Sequence, residues 1–275
     1  MPASAEINLS ALNKALVGTR FAGKLQHFAS IDSTNTQLLA AATDGAPEGT
    51  VYLADEQTAG RGRGGHAWHS APGEGLYLSA LVKPSLRLRD ALHLSLATGL
   101  AASDAVREIA GVMLDIRWPN DLLVGEKKLG GILVETAVDP GPDPLLRYAV
   151  IGIGINVHHS GFPLELVALA TSLALETKLS LSRGTLVLSL LRALDRELTR
   201  LEDLSHSDVL ERFTNTSTWV RGKRVHVPEQ GGYTGTTAGL DSRGFLLVTL
   251  DDGTQRTVLS GGVRPFEQGM TNHLT

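Results

Sequence analysis

The chain has 275 residues, a length that predicts one large domain and one small one. Of these residues 42% are hydrophobic and 20% are charged, values typical of a packed globular protein. It contains no cysteine, which excludes disulfides, thiolate catalysis and cysteine metal sites, and its net charge of −4 argues against a large basic nucleic-acid surface. The first residues lack a signal-peptide pattern and no apolar run could span a bilayer, so we expect a soluble cytoplasmic protein.

Hydrophobic periodicity and turn residues predict alternating helices and strands over the first four fifths of the chain. Helices are predicted at residues 9–17, 36–42, 90–109, 164–175, 186–201 and 207–215. Strands are predicted at residues 24–31, 51–55, 76–82, 113–118, 128–137 and 148–157. The apolar runs of the last two strands predict burial on both faces.

The pattern changes after Trp219, where short strands are separated by aspartate–glycine turns. Strands are predicted there at residues 224–227, 235–240, 245–250 and 254–259. We therefore predict an α+β protein in which residues 1–217 form a mixed sheet with packed helices and residues 218–270 form a small β-barrel-like domain.

The segment from Gln57 to Trp68, QTAGRGRGGHAW, has the most unusual composition in the chain. Its glycines allow the backbone to approach a ligand closely, and Arg61 and Arg63 carry planar donors suited to a carboxylate or a phosphate. The glycine spacing and the missing lysine–serine ending exclude a Walker loop and a Rossmann fingerprint. A solvated flexible loop explains the composition equally well.

Four further segments each allow two interpretations. Ser33-Thr34-Asn35 suits a polar ligand or simple helix capping, and RWPND (117–121) suits a ligand site or a turn. KKLGG (127–131) indicates close backbone approach to a ligand or a hairpin edge. In GIGIN (152–156), glycines alternate with isoleucines and leave one strand face bare, for a flat ligand or a packed helix.

Taken together and in this order, STNT, QTAGRGRGGHAW, RWPND, KKLGGILVE and GIGIN resemble the catalytic domain of the biotin protein ligases. The resemblance covers about residues 24–160, and the small β domain resembles the SH3-like C-terminal domain of that family. It implies a class II synthetase-like fold and a ligase that forms biotinyl-5'-AMP from biotin and ATP. The biotin is then transferred to a lysine of a biotin carboxyl carrier protein.

The resemblance also implies roles for individual residues. Biotin binding is implied for Ser33, Thr34, Asn35, Gln57, Arg61, Gly62, Arg63, Lys128 and Gly131. Contacts with ATP or the adenylate are implied for Trp68, Asn120, Lys128, Asn156 and Arg264. The catalytic residues are expected to be Lys128, Arg61, Arg63 and Asp121; Mg²⁺ is expected with ATP, and no residue is predicted as a metal ligand.

These residue types fit the chemistry, because the biotin carboxylate must approach the α-phosphate of ATP and the two are anions. Lys128 and the two arginines offset that repulsion, and a loop closed over the mixed anhydride excludes water. Asp121 is a candidate to orient or deprotonate the carrier lysine. Many family members carry a further basic residue where this chain has Gly64-Gly65-His66, so the adenylate is expected to be held more loosely.

The expected partner is the carrier domain of a biotin-dependent carboxylase, without nucleic acid or membrane, and a homodimer is left open. One alternative is lipoate or octanoyl transfer on the same fold, against which the arginine–glycine loop and KLGGI argue. Another is an RNA-binding module that uses GRGRGG, against which the acidic net charge argues. A purely structural α/β protein would leave the co-occurrence of the five segments unexplained.

Overall fold

In the computed structural model, which describes residues 7–204, 206–228 and 231–266, the chain forms two sheets. The strands of the first sheet are β1 (Leu25–Phe28), β2 (Val51–Ala54), β3 (Gly75–Val82), β4 (Asp115–Arg117), β5 (Asp121–Val124), β6 (Lys127–Val138) and β7 (Leu146–Asn156). They lie in the order β1-β2-β3-β7-β6-β5-β4. The β1–β2 pair is parallel and the other pairs are antiparallel, so the sheet is mixed as predicted.

Helices cover both faces of this sheet. They are α1 (Leu9–Ala15), α2 (Thr34–Thr43), α3 (Leu92–Ala110), α4 (Leu173–Glu176), α5 (Arg183–Asp203) and α6 (His206–Thr216). Side chains of α3 and α5 form the main core with one face of β3 and β7, including Ile151, Ile153 and Ile155. Leu38 of α2 packs on the opposite face with Leu81. Helix α2 therefore lies on the face to which Gly152 and Gly154 belong, because successive strand residues alternate between faces.

The second sheet is antiparallel and has five strands in the order β11-β10-β9-β8-β12. These are β8 (Arg221–Val227), β9 (Tyr233–Leu240), β10 (Leu246–Thr249), β11 (Gln255–Val258) and β12 (Arg264–Pro265). It contacts the rest of the chain through the turn before β10, where Gly244 O accepts a 2.9 Å hydrogen bond from Trp118 Nε1. The domain boundary at residues 217 and 218 stays a prediction, and residues 1–6 and 267–270 of the predicted domains lie outside the described residues.

The predicted helix at residues 164–175 is wrong, because only its end is helical, in α4. Lys128 N donates to Leu169 O at 2.7 Å and Thr171 N donates to Lys128 O at 3.0 Å. The segment forms isolated turns, such as Ala170 N donating to Leu166 O at 2.8 Å, and its end then follows the start of β6. Leu164 is left 91% exposed.

Two smaller differences concern the strands. Asp121 begins β5, which the prediction treated as a turn after the preceding strand. The predicted burial on both faces is correct for β7 but wrong for most of β6, whose residues are largely half-buried. Helix α2 packs mainly on β2, β3 and β7 and does not extend across β6. Among the described residues, no helix combines the length and the apolar character needed to cross a membrane.

Candidate active site

A narrow cleft lies on the α2 face of the first sheet, and glycine backbone forms its floor. The isoleucines of β7 point into the core, which leaves Gly152 and Gly154 facing the cleft. A Cβ on Gly152 would lie 2.3 Å from Asn35 Oδ1, and one on Gly154 would lie 2.6 Å from the indole of Trp68. Gly131 of β6 pairs with Gly154 and extends the floor. The glycine face predicted from GIGIN therefore borders the cleft, and the side chains of Asn35 and Trp68 lie directly over Gly152 and Gly154.

The closed end of the cleft is polar. The backbone N and Oγ1 of Thr34 both donate to Gln57 Oε1, at 2.9 and 3.1 Å. Ser79, which is fully buried, donates to Asn35 Oδ1 at 2.6 Å. Ser33 caps α2, and Ser33, Thr34 and Asn35 are each less than 5% exposed. The start of α2 is therefore capped by Ser33 and also borders the cleft, and hydrogen bonds hold the hydroxyl of Thr34 and the amide of Asn35 in fixed positions.

The glycine–arginine segment is a short hairpin over the cleft. Arg61 and Ala67 form an antiparallel bridge, and Gly62 N donates to His66 O at 2.6 Å. The turn at its tip places Gly64 at φ +67° and Gly65 at φ +80°, a region that favours glycine. The segment is thus a hairpin with a tight turn, and the positive φ angles at Gly64 and Gly65 explain why glycine is found at these two positions.

Each arginine of the hairpin has a defined partner. Arg61 forms a 2.6 Å ion pair with Glu135 Oε2, the atom that also accepts a 2.9 Å hydrogen bond from Asn35 Nδ2. The Arg63 guanidinium donates to the carbonyl of Gly261, beside the second sheet. Sequence analysis did not identify Glu135. Its position four residues after Gly131 on β6, hence on the same strand face, is the signal that could have found it.

Lys128 stands at the edge of the cleft in a chain of ion pairs. Its Nζ lies 2.5 Å from Asp121 Oδ1, and Arg117 Nη2 lies 2.7 Å from Asp121 Oδ2. Burial alone would raise the pKa of Asp121, but the charges and hydrogen bonds of Lys128 and Arg117 outweigh it and hold the pKa below its usual range. Asp121 is therefore a carboxylate at neutral pH, and it fixes the lysine ammonium beside the glycine floor.

A second, more apolar cleft adjoins the first, and Trp68 and Lys128 line both. Phe162, Leu166 and Leu169 line it as well, and sequence analysis missed them because it assigned part of this segment to a helix. Asn156 also lines it, with its Nδ2 donating to Thr171 O at 2.9 Å. The two clefts can therefore hold adjacent ligands with Lys128 between them.

The structure brings most of the predicted site residues together. The first cleft is lined by Ser33, Thr34, Asn35, Gln57, Arg61, Gly62, Arg63, Trp68, Asn120, Lys128 and Gly131. Asp121 contacts Lys128, and Asn156 lies in the second cleft. Arg264 lies exposed on β12 and lines neither cleft, so the structure does not bring it to the site. His66 is exposed on the hairpin and lines neither cleft.

Comparisons with known proteins show what the chain is similar to. The family described as "Biotin/lipoate A/B protein ligase family" matches residues 27–156, and "Biotin protein ligase C terminal domain" matches residues 221–263. The bifunctional ligase/repressor BirA of Bacillus subtilis is 33% identical over 82% of this chain and 69% of its own length. A biotin–[acetyl-CoA-carboxylase] ligase of Mycobacterium tuberculosis is 32% identical over 87% of each chain. The biotin protein ligase of Aquifex aeolicus, solved with biotin and ATP, is 30% identical with a TM-score of 0.74, over 88% of this chain and 98% of its own.

Proposed function

The chain belongs to the biotin protein ligase family, and we propose how the two clefts carry out the reaction of that family. The chain forms biotinyl-5'-AMP from biotin and ATP and transfers the biotin to a carrier protein. The observation that carries the residue assignments is the glycine floor, which has neutral polar groups at one end and Lys128 at the other. Biotin has the same polarity, with a neutral ureido ring at one end and a carboxylate at the other.

We propose that the ureido ring binds at the closed end, where Ser33, Thr34, Asn35 and Gln57 offer hydroxyl and amide groups. The fused ring would then lie beside the glycines, where a side chain at Gly152 or Gly154 would collide with Asn35 or Trp68. This orientation directs the valeryl carboxylate towards Lys128 and the arginine hairpin. The hydrogen bonds that already fix Asn35 and Gln57 mean that little reorganisation is needed when biotin binds.

We propose that ATP binds with its adenine in the second cleft, between Trp68 and the apolar side chains of residues 162–169. Its α-phosphate would then lie beside Lys128, which lines both clefts. Asn156 would contact the nucleotide from the end of β7. Mg²⁺ would be held mainly by the phosphates of ATP. Asn120 could add one ligand, because its Nδ2 donates to Ile132 O and its side-chain carbonyl oxygen is left to face the ion. When bound, the ion would offset phosphate charge.

We propose that Arg61, Arg63 and Lys128 stabilise the transition state of adenylation, in which the biotin carboxylate approaches the α-phosphate. In this reaction a carboxylate oxygen bonds to the α-phosphorus, and pyrophosphate leaves. Removing one such cationic donor typically costs about 3–4 kcal/mol of barrier. The hairpin then acts as a cover over the mixed anhydride, and Glu135 holds Arg61 in place until the ligand arrives.

In the transfer step we propose that Asp121 acts by orientation. A carboxylate engaged by Lys128 and Arg117 with a lowered pKa is a weak proton acceptor, so its role would be to accept a hydrogen bond from the carrier lysine. That lysine would attack the acyl carbon as the free amine, the new amide bond would replace the anhydride bond, and AMP would leave. The carrier would be the biotin carboxyl carrier domain of a biotin-dependent carboxylase. We place the reaction in the cytoplasm, because ATP is an intracellular substrate. A domain boundary at residues 217 and 218 is part of the proposal, and the homodimer stays a prediction.

The direct test is incubation of the purified chain with biotin, ATP and Mg²⁺, followed by mass spectrometry for biotinyl-5'-AMP. A parallel reaction with lipoate is the control for the related activity on the same fold. We expect biotinyl-adenylate without lipoyl-adenylate, and biotin on a single lysine of an added carrier domain. Equal formation of both adenylates would contradict the proposed match between the polar end of the cleft and the ureido ring.

A further inference from the structure

Three potential metal-binding side chains meet away from both clefts, close to the turn by which the second sheet contacts the first. Asp90 lies just before α3, His93 lies in the first turn of α3, and His206 begins α6. One ligand atom from each lies within 4.8 Å of the others. The start of α3 thus supplies two of these residues, and His206 reaches them from more than 100 residues later in the chain. None of the three lines either cleft or is used by the proposed reaction.

His93 is the unusual member of this cluster. Its side chain is 0% exposed, yet within the described part of the chain neither ring nitrogen makes a hydrogen bond of normal geometry. Its ring centroid lies 4.6 Å from that of His206. A Cβ placed on Gly244 would come within 3.5 Å of the His93 ring, so the turn before β10 closes over it. The backbone of Ser242 interacts with this ring, and buried polar atoms are usually satisfied, so the remaining ring nitrogen points to a missing ligand.

We propose that Asp90, His93 and His206 bind a transition-metal ion, with Zn²⁺ as the best match. Two imidazole nitrogens and one carboxylate oxygen are ligands that zinc accepts, with a fourth position left for water. Ligand atoms of a tetrahedral zinc lie roughly 3.3–3.6 Å apart, so closure from 4.8 Å needs only small side-chain rotations. Mg²⁺ is disfavoured because it prefers oxygen ligands.

The charges around the cluster favour a cation. The carboxylate of Asp90 brings one negative charge to the cluster, and each histidine ring can offer a nitrogen lone pair to a metal ion. Among the residues that the structure describes, Asp90 makes a loose 3.8 Å pair with Arg89. Asp241, which pairs with Arg243 at 3.6 Å, also lies close enough to contribute negative charge. Half-buried Asp90 and His206 leave a route from solvent.

The ion would have a structural role. It would tie the start of α3 to the start of α6, directly beneath the turn that carries Gly244. The same turn receives the hydrogen bond from Trp118, so metal binding and this contact would strengthen one joint between the two sheets. We therefore expect zinc to raise the stability of the whole chain without being needed for adenylate formation.

The test uses the untagged full chain, treated with a chelator and desalted, and measures zinc binding by calorimetry and the shift in Tm. We expect one zinc per chain and, at a hundredfold excess over Kd, a rise in Tm of roughly 5–10 °C. MgCl2 alone should give no shift. His206→Ala should abolish the binding, and Asp90→Asn should weaken it at least about tenfold, since it removes a charged ligand.

His69→Ala is the matched control, because His69 and His159 form a second histidine pair with ring centroids 5.7 Å apart. This variant should bind zinc as the wild type does. The assignment is overturned if the wild type does not bind one zinc, if His206→Ala binds it unchanged, or if His69→Ala loses it. Should His206→Ala fail to fold, unchanged binding by Asp90→Asn overturns the assignment equally.

Discussion

Replacing Gly152 with alanine adds one methyl group to the floor of the first cleft and tests why this floor is bare. The new Cβ would lie 2.3 Å from Asn35 Oδ1 and 2.8 Å from its Cγ, distances at which something must move. Strand β7 lies inside the sheet between β3 and β6 and cannot shift easily, so Asn35 must leave its position. The backbone at Gly152 does not have a positive φ, so the effect reports the contact and not backbone strain.

The cost follows from the hydrogen bonds that Asn35 makes. Ser79 and Glu135 both lose a partner when the amide moves, and a buried group left unsatisfied costs about 1–3 kcal/mol. Ser79 keeps its alternative acceptor, Thr34 Oγ1, so we expect a total of roughly 3 kcal/mol. For a chain of this size that corresponds to a Tm lower by roughly 6–12 °C. If Asn35 also contacts the ureido ring, the KM for biotin should rise roughly 10- to 100-fold.

The assay is pyrophosphate release at varied biotin and at varied ATP, together with thermal unfolding. Gly184→Ala is the matched control, since a Cβ there meets only Ser182 Oγ at an ordinary 3.6 Å. We expect the Gly152→Ala variant to retain its KM for ATP and to lose affinity for biotin selectively. An unchanged Tm and an unchanged KM for biotin would refute the steric reasoning, and a larger effect on ATP would move the ureido site elsewhere.

Three further predictions concern charged and titratable groups. Lys128→Ala should abolish adenylate formation while the fold is retained, and normal pyrophosphate release would refute its assigned role. Asp121→Asn should slow biotin transfer from preformed adenylate. The pKa of Asp121 is lower in the folded chain than in the unfolded chain. The stabilisation by its ion pairs is therefore fully present above the unfolded pKa and is lost as the pH falls through the folded pKa. The wild-type transfer rate should therefore show no Asp121 inflection above about pH 4. Burial lowers the pKa of His159 to about 4 in the folded chain. As the pH falls, His159 is therefore protonated in the unfolded chain before it is protonated in the folded chain, and the free energy of unfolding should fall by roughly 3 kcal/mol between pH 6.5 and 4. His159→Phe, which keeps the stack on Phe162, should flatten that dependence in unfolding measured across this range, and an unchanged slope would contradict it.

Local patterns were sufficient for most of the sheet and for the floor of the cleft. The alternation in GIGIN predicts a bare strand face because the period of a strand is two residues, and the structure confirms it. The helix at residues 164–175 failed for a reason that no local pattern contains. Its apolar residues have helical spacing, but its backbone bonds to Lys128, about forty residues earlier in the chain.

Local sequence patterns also could not predict which residues the site residues would contact. Asn35 reaches Glu135 over a separation of 100 residues, and only the completed sheet brings these two side chains together. Asp121 is visible in the sequence as part of RWPND, but its ion pair with Lys128 depends on the pairing of β5 with β6. The sequence indicates which residues are chemically capable, while the pairing of distant strands decides which of them act on one another.

A floor made of peptide backbone also limits how this enzyme could change its substrate in evolution or in the laboratory. Nothing smaller than glycine exists, so substitutions at Gly131, Gly152 and Gly154 can only make the cleft shallower. Analogues of biotin with a thicker ring system must be accommodated by shortening the walls, for example at Tyr77 or Leu133, which also line the cleft. Selection for new acids should therefore recover changes in the walls and leave all three glycines untouched.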